Sequence, residues 1–216
     1  MKTIGIIGGM SFESTITYYK TINQAINDKL KSLNSAKILL YSVNFEEIEN
    51  LQSQDKWQEA AQILSQCAKK LELAGASFII IATNTMHKVF DEIQQNINIP
   101  ILHIAKSSAK ALKQENIQKI GLLGTKYTMT QDFYKKMLIE ENISVITPSD
   151  EDIKIVNDII FNELCKGEIK QDSKEKYLNI IKKLQEKGAI GLLISKIFDT
   201  SLIHALDAAN EALKDL

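Results

Sequence analysis

Two short segments of this 216-residue chain carry the residue types best suited to chemistry. The first is Gly8-Gly9-Met10-Ser11, which follows an apolar run and precedes an amphipathic stretch. Glycine there permits a positive φ and lets backbone N–H groups approach a ligand, and the N-terminus of the following helix favours an anion. The spacing does not match the dinucleotide-binding fingerprint. A small-anion site and a simple strand-to-helix turn are equally good interpretations.

The second segment is Thr83-Asn84-Thr85, which also lies between an apolar run and a helical pattern. One of these residues is expected to cap the helix, but three short polar side chains in succession exceed what a cap requires. The excess predicts contacts to a ligand. His87 would lie one turn into the helix, where a packed or solvent-facing role is favoured over a catalytic one.

The second half of the chain offers weaker candidates. Thr125 and Thr128 follow another apolar run and could donate hydrogen bonds to a carboxylate. Thr128 or Thr130 is equally well explained as a helix cap. Asp199-Thr200 is better explained as the cap of the last helix than as a substrate contact.

Structural roles are predicted for the two cysteines and for His204. Cys67 and Cys165 fall within predicted helices, away from strand ends, and are interpreted as small core residues. Their spacing predicts neither a metal site nor a disulfide framework, and a reducing, cytoplasmic location follows by default. His204 lies in the last helix and is interpreted as structural.

The charge balance limits the possible partners. The net charge is -1 and no long run of one sign occurs, so neither a nucleic-acid surface nor a membrane-binding face is predicted. All 26 basic residues are lysines. Without arginine, a two-pronged carboxylate clamp is unavailable, and an anionic substrate would be held by backbone N–H groups, hydroxyls, amides or a lysine.

The elements that must position these residues alternate along the chain. Continuous apolar runs alternating with amphipathic stretches predict an α/β fold whose parallel sheets are covered on both faces. Strands are predicted at 3–7, 37–43, 78–82, 100–104, 119–123, 143–147 and 190–194. Helices are predicted at 13–31, 56–73, 85–96, 106–115, 130–141, 151–166, 173–187 and 201–214.

An internal repeat divides the chain. Residues 119–125 repeat the pattern of residues 3–9, and residues 182–189 repeat that of 69–76 at a nearly equal offset. The repeat predicts two pseudo-symmetric lobes, each a parallel sheet flanked by helices, with the active site in the cleft between them. The predicted first lobe is 1–104 plus 205–216, and the predicted second lobe is 105–204.

The repeat breaks after Ile194. Beyond that point the second lobe is shorter by about 17 residues, and a parallel crossover needs a dozen or more. Either 190–199 is one long strand, or a strand-end loop and a helix that the first lobe contains are absent here. Absence is the favoured interpretation.

Four segments together resemble the aspartate/glutamate racemase family, most closely its broad-specificity bacterial branch. They are TIGIIGGMSFEST, ATNTMHKV, IGLLGTKYTM and IFDTSLIHA, and the similarity covers nearly the whole chain. The resemblance implies a cofactor-independent and metal-free isomerase that acts on an acidic amino acid, and a homodimer. Two opposed cysteines, one from each lobe, would remove and return the α-proton. The substrate-binding positions that it implies are Met10, Ser11, Gln52, Thr83, Asn84, Thr85 and Thr125.

The chain departs from this family at both catalytic positions. The first cysteine position is occupied by Ala82, and the second would follow Ile194, in the segment that is absent. Alanine can neither take nor give a proton, so the chain looks like a Cys-to-Ala variant that is inactive as written. Two alternatives stay open: a catalytically dead paralogue that binds an acidic amino acid, and a relative of the hydantoin racemases or decarboxylases.

Overall fold

The computed structural model describes residues 1–194 and 200–214, and the chain divides into two compact units. The first unit comprises Met1–Ile104 and His204–Leu216, and the second comprises Ala105–Ile203. The lobe boundaries drawn from the sequence stay a prediction. They assign His204 to the second lobe, whereas the hydrogen bonds of this side chain join it to Tyr18 and Leu102 in the first unit.

Seven strands form among the described residues, and every strand pair is parallel. The first unit holds a four-stranded sheet in the order β2-β1-β3-β4, and the second holds a three-stranded sheet in the order β6-β5-β7. The strands are β1 (Ile4–Gly8), β2 (Ile38–Ser42), β3 (Phe78–Ile81), β4 (Ile101–Leu102), β5 (Lys119–Leu123), β6 (Ser144–Ile146) and β7 (Gly191–Ile194).

Helices and two 3₁₀ turns, Thr85–Val89 and Leu164–Lys166, connect these strands. The helices are α1 (Phe12–Leu30), α2 (Phe45–Ser53), α3 (Trp57–Leu73), α4 (Phe90–Gln94), α5 (Ile104–Gln114), α6 (Lys126–Thr130), α7 (Asp132–Ile139), α8 (Asp150–Asn162), α9 (Gln171–Glu186) and α10 (Thr200–Leu213). None of these helices is long and apolar enough to cross a lipid bilayer.

Continuous apolar strands place each core on its own sheet. All residues of β1 and β3 are buried, as strands that carry helices on both faces require. On one face of the first sheet, α1 and the part of α10 from His204 onward cover alternate residues of β1 and β3. In the second unit, α8 and α9 contribute most of a separate apolar cluster around Leu123 and Ile194. The predicted α/β class with two parallel sheets is confirmed.

The two sheets support the internal repeat. The order β2-β1-β3 in the first unit corresponds to β6-β5-β7 in the second. The fourth strand, β4, has no counterpart among the described residues of the second unit. β7 is described from Gly191 to Ile194, and the choice between one long strand over 190–199 and an absent loop and helix stays a prediction. Residues 195–199, where the remainder of this prediction falls, lie outside the described residues.

Some of the predicted helices needed correction. The predicted helix 85–96 is a 3₁₀ turn followed by the short α4, and the predicted helix 130–141 is replaced by α6 and α7. From the sequence, the stretch between the second strand and the Trp57 helix could be a loop or a short helix; the structure forms the short helix α2, whose start carries two recognisable signals. The Asn44 side chain accepts a hydrogen bond from Glu46 N, and acidic residues occupy the first turn, where the helix dipole favours them.

Candidate functional site

The candidate site lies at the carboxyl edge of the first sheet. β1 and β3 are neighbours in this sheet, with Ile7 opposite Ile81, and Ala82 N donates to Ile7 O over 2.9 Å. Adjacent strands are spaced by about 4.8 Å. The two segments singled out by their residue types, 9–11 and 83–85, therefore leave the sheet side by side. This is the edge at which open α/β sheets bind ligands.

The turn between β1 and α1 is fixed by a glycine and a threonine. Gly9 has φ +91, and a Cβ there would lie 2.2 Å from Val43 O, so no other residue fits. Gly9 N donates to Thr15 Oγ1 over 2.8 Å, and this hydroxyl donates to Ser11 O over 3.1 Å. The backbone N–H of Gly9 is thus already bonded within the turn, because Thr15 accepts its hydrogen bond.

Ser11 stands at the N-cap of the 19-residue helix α1 but does not act as a cap. Its side chain is buried, with 2% exposed, and Oγ has no hydrogen-bond partner among the described residues. A buried hydroxyl without a partner is unfavourable by about 1–3 kcal/mol. A ligand anion at this helix end would meet both the hydroxyl and the positive end of the helix dipole.

The segment after β3 presents three short polar side chains behind a buried alanine. Ala82 is fully buried in the first core cluster. Thr83 is half-buried, and Asn84 and Thr85 are buried. Asn84 precedes the 3₁₀ turn, but its side chain makes no capping bond. The expectation that one of these residues caps a helix through its side chain is not met at the cap position.

His87 is packed and uncharged. It is 2% exposed, Nδ1 lies 2.8 Å from Thr83 O, and Ile104 N donates to Nε2 over 3.3 Å. Because a carbonyl oxygen can only accept, Nδ1 carries the proton and Nε2 is the acceptor. Burial above all, with smaller contributions from His103 and His204, holds the pKa of His87 well below its ordinary value. Of the packed and solvent-facing positions that the sequence left open for His87, the structure shows the packed one.

Gln52 and Met10 belong to the same region of the first unit. Both are buried, and Gln52 Nε2 donates to the sulfur of Met86 over 2.9 Å, which ties α2 to the 3₁₀ turn after Thr85. Nothing in the periodicity of the sequence singled out Gln52; only the family resemblance did. The sequence left the stretch around Gln52 open between a loop and a short helix, and neither shows which strand end the side chain reaches.

The second-unit candidate Thr125 is itself a helix cap. Its Oγ1 accepts from Thr128 N over 3.4 Å at the start of α6. The alternative in which Thr128 or Thr130 caps a helix is therefore wrong, because the helix begins earlier than predicted. The second cysteine position, expected immediately after Ile194, lies outside the described residues.

The two cysteines occupy structural surroundings. Cys67 is buried in α3, and burial raises the pKa of its thiol. Cys165 is half-buried in the second 3₁₀ turn and packs against the second apolar cluster. Across residues 1–194 and 200–214, no group of three or more His, Cys, Asp or Glu side chains is arranged to hold a metal ion.

Comparison with known proteins agrees with this fold. The Asp/Glu/hydantoin racemase family model matches residues 7–195. A crystal structure of a Yersinia pestis protein assigned to the Asp/Glu racemases is 49% identical, with a TM-score of 0.91 over 99% of this chain and 100% of that one. An aspartate racemase homologue from Pyrococcus horikoshii is 37% identical, with a TM-score of 0.83 over 98% and 99% of the two chains.

A curated relative matches over a shorter span. The broad-specificity amino-acid racemase RacX of Bacillus subtilis is 38% identical over 71 residues, which are 33% of this chain and 31% of that protein. The match thus spans about a third of the length of that relative. The family model nevertheless covers most of the chain, which therefore belongs to the Asp/Glu/hydantoin racemase family.

Proposed function

We propose that the carboxyl edge of the first sheet binds an acidic amino acid, as the substrate site of a cofactor-independent amino-acid racemase. The observation that carries the proposal is the buried hydroxyl of Ser11, which has no partner among the described residues and stands at the N-terminus of α1. The strand that ends beside it leads into Thr83-Asn84-Thr85. Hydroxyls, an amide and a helix dipole can bind a carboxylate in a chain that has no arginine.

The chemistry of racemisation explains why such a site needs more than binding. The α-proton of an amino acid is very weakly acidic, so the carbanion must be stabilised by hydrogen bonds to the carboxylate in a preorganised site. Without a cofactor, one group must remove the proton and another must return it to the opposite face. Position 82 directly precedes the polar segment, and a thiol there would supply one of these two groups.

Because residue 82 is alanine, we expect the chain to bind its ligand without racemising it. This holds for a Cys-to-Ala variant and for a catalytically dead paralogue, since neither has a proton carrier at position 82. The absence of the second cysteine segment stays a prediction, as do the role of Thr125 and the lobe boundaries. Both the Cys-to-Ala variant and the dead paralogue are therefore expected to bind an acidic amino acid without turning it over.

Titration calorimetry tests the binding. L- and D-aspartate, L- and D-glutamate, a hydantoin and malonate are titrated into the chain, and at least one acidic amino acid is expected to bind. Ser11→Ala should weaken that binding by about tenfold, the contribution of one hydrogen bond to a charged group. Ser77→Ala is the matched control, because Ser77 Oγ accepts from Thr3 N at the opposite edge of the same sheet. Binding of hydantoin or malonate alone would replace the proposed ligand by that of another family branch.

A homodimer is also proposed, on the basis of the family resemblance and an exposed apolar stripe. Phe12, Ile16 and Tyr19 share one face of α1 and are 56%, 56% and 54% exposed. Sedimentation velocity is expected to show a dimer that Ile16→Glu dissociates and that Gln24→Glu, on a different face of the helix, leaves intact. A parent chain that sediments as a monomer would contradict this proposal.

A cytoplasmic location and a reaction without pyridoxal phosphate stay predictions.

A further inference from the structure

The three histidines of the chain are all buried together in the first unit. His87 and His103 are each 2% exposed, and His204 is fully buried. The ring centroid of His87 lies 4.5 Å from that of His103 and 6.0 Å from that of His204. Buried histidines need hydrogen-bond partners, and the partners of this cluster show which parts of the unit it joins.

His204 joins α1 to the end of β4. Its Nε2 lies 2.8 Å from Leu102 O and its Nδ1 lies 2.9 Å from the Tyr18 hydroxyl. Since a carbonyl only accepts, Nε2 carries the proton and the buried Tyr18 hydroxyl donates to Nδ1. None of these bonds involves the polar segment 83–85.

His87, by contrast, closes that segment with two separate hydrogen bonds. Its ring Nδ1–H donates to Thr83 O over 2.8 Å, and its backbone N–H donates to Asn84 O over 3.1 Å. Its Nε2 accepts from Ile104 N, which follows β4. A 3₁₀ turn is short and has poor intrinsic hydrogen-bond geometry, so the ring supplies an anchor that the local backbone does not.

We propose that His87 is the positioning residue of the ligand segment: the hydrogen bond from its ring Nδ1–H to Thr83 O fixes the backbone of Thr83-Asn84-Thr85. This inference rests on the proposed function, because it assigns that segment to the ligand. His87 does not carry a proton in the reaction, since its Nδ1–H and its Nε2 are both committed to main-chain groups. It acts on the ligand only through the backbone that it holds.

Two replacements of His87 by an amide side chain, Asn and Gln, distinguish a positioning role from a contribution to overall stability. In His87→Asn the amide nitrogen can take the place of Nδ1 and donate to Thr83 O, whereas in His87→Gln the amide lies one carbon further out. Amide hydrogen exchange is followed at residues 83–87 without ligand. We expect His87→Asn to keep parental exchange there and His87→Gln to accelerate it about tenfold, the equivalent of one lost hydrogen bond.

His204→Leu is the control for a buried histidine outside the segment. It is expected to lower global stability without a selective increase in exchange at 83–87. The affinity for the acidic amino acid should fall about tenfold in His87→Gln and stay near the parental value in His87→Asn. Equal exchange at 83–87 in the Asn and Gln variants overturns the inference. If the parent chain binds no acidic amino acid, the proposed function fails, while the exchange comparison still tests His87.

Discussion

Mild acid should destabilise the first unit through His204. Burial lowers the pKa of His204 from 6.5 to about 4. His204 does not change the free energy of unfolding above pH 6.5, where it is neutral in both the folded and the unfolded chain. As the pH falls from 6.5 towards 4, the unfolded chain binds a proton that the folded chain resists, and the free energy of unfolding decreases. Over that full window the loss is about 3 kcal/mol, and at pH 5 it is already about 2 kcal/mol. His87, whose pKa is also lowered by burial, shifts stability in the same direction.

The assay is urea denaturation at pH 7.5 and pH 5, followed by the fluorescence of Trp57. This is the only tryptophan, and it lies in the first unit, so the signal reports the unit in question. The matched variant is His204→Gln, whose amide can donate to Leu102 O and accept from Tyr18 without titrating. We expect it to be less stable than the parent at pH 7.5 but to lose about 2 kcal/mol less on acidification. An equal loss in both proteins would refute the account of His204 as a buried, neutral histidine.

Three further predictions follow from individual contacts. Gly9→Ala should destabilise the first unit by about 3 kcal/mol or more, because the new Cβ meets Val43 O. Gly75→Ala, which is also at positive φ but in open space, should destabilise it by only about 1 kcal/mol. Thermal denaturation compares the two variants, and equal effects would contradict the close contact at Gly9. Tyr18→Phe removes the donor to His204 and should cost about 1 kcal/mol or more in urea denaturation at pH 7.5, and an unchanged midpoint would disprove that hydrogen bond. Ala82→Cys supplies one proton carrier. In heavy water, the Cα hydrogen of one enantiomer of the bound amino acid should therefore exchange with retention of configuration. Full racemisation by this variant would show that the second proton carrier is already present.

The strands were predictable because the sequence encodes them locally. β1 and β3 are unbroken apolar runs, and a strand that is buried on both faces of a parallel sheet requires such a run. The sequence left α2 open between a loop and a short helix because it is only nine residues long, although Asn44 and the acidic residues of its first turn provide a recognisable start. The turn after β3 could not be read from periodicity, because a 3₁₀ turn leads directly into α4.

The candidate site, too, could be predicted from the sequence only in part. That Ser11 and Thr83-Asn84-Thr85 share one sheet edge could be predicted, since both segments follow apolar strands. Which polar groups are already bonded could not. Thr15 takes up Gly9 N, and only the folded chain reveals that Ser11 is left without a partner among the described residues.

The histidine cluster shows the limit of sequence interpretation most clearly. His204 lies far along the chain from His87 and His103, and the contacts within the cluster depend on how β3, β4 and α10 pack. One signal was available: His103 directly follows β4, the neighbour of β3 in the sheet. That placement brings it to the same edge as the segment that contains His87.

A crystal structure of the chain soaked with the acidic amino acid that binds in calorimetry tests the central claim most directly. We predict a ligand carboxylate within hydrogen-bonding distance of Ser11 Oγ at the N-terminus of α1, with further contacts to the 83–85 segment. A ligand bound elsewhere at full occupancy, or an empty edge of the first sheet at saturating concentration, would contradict the account.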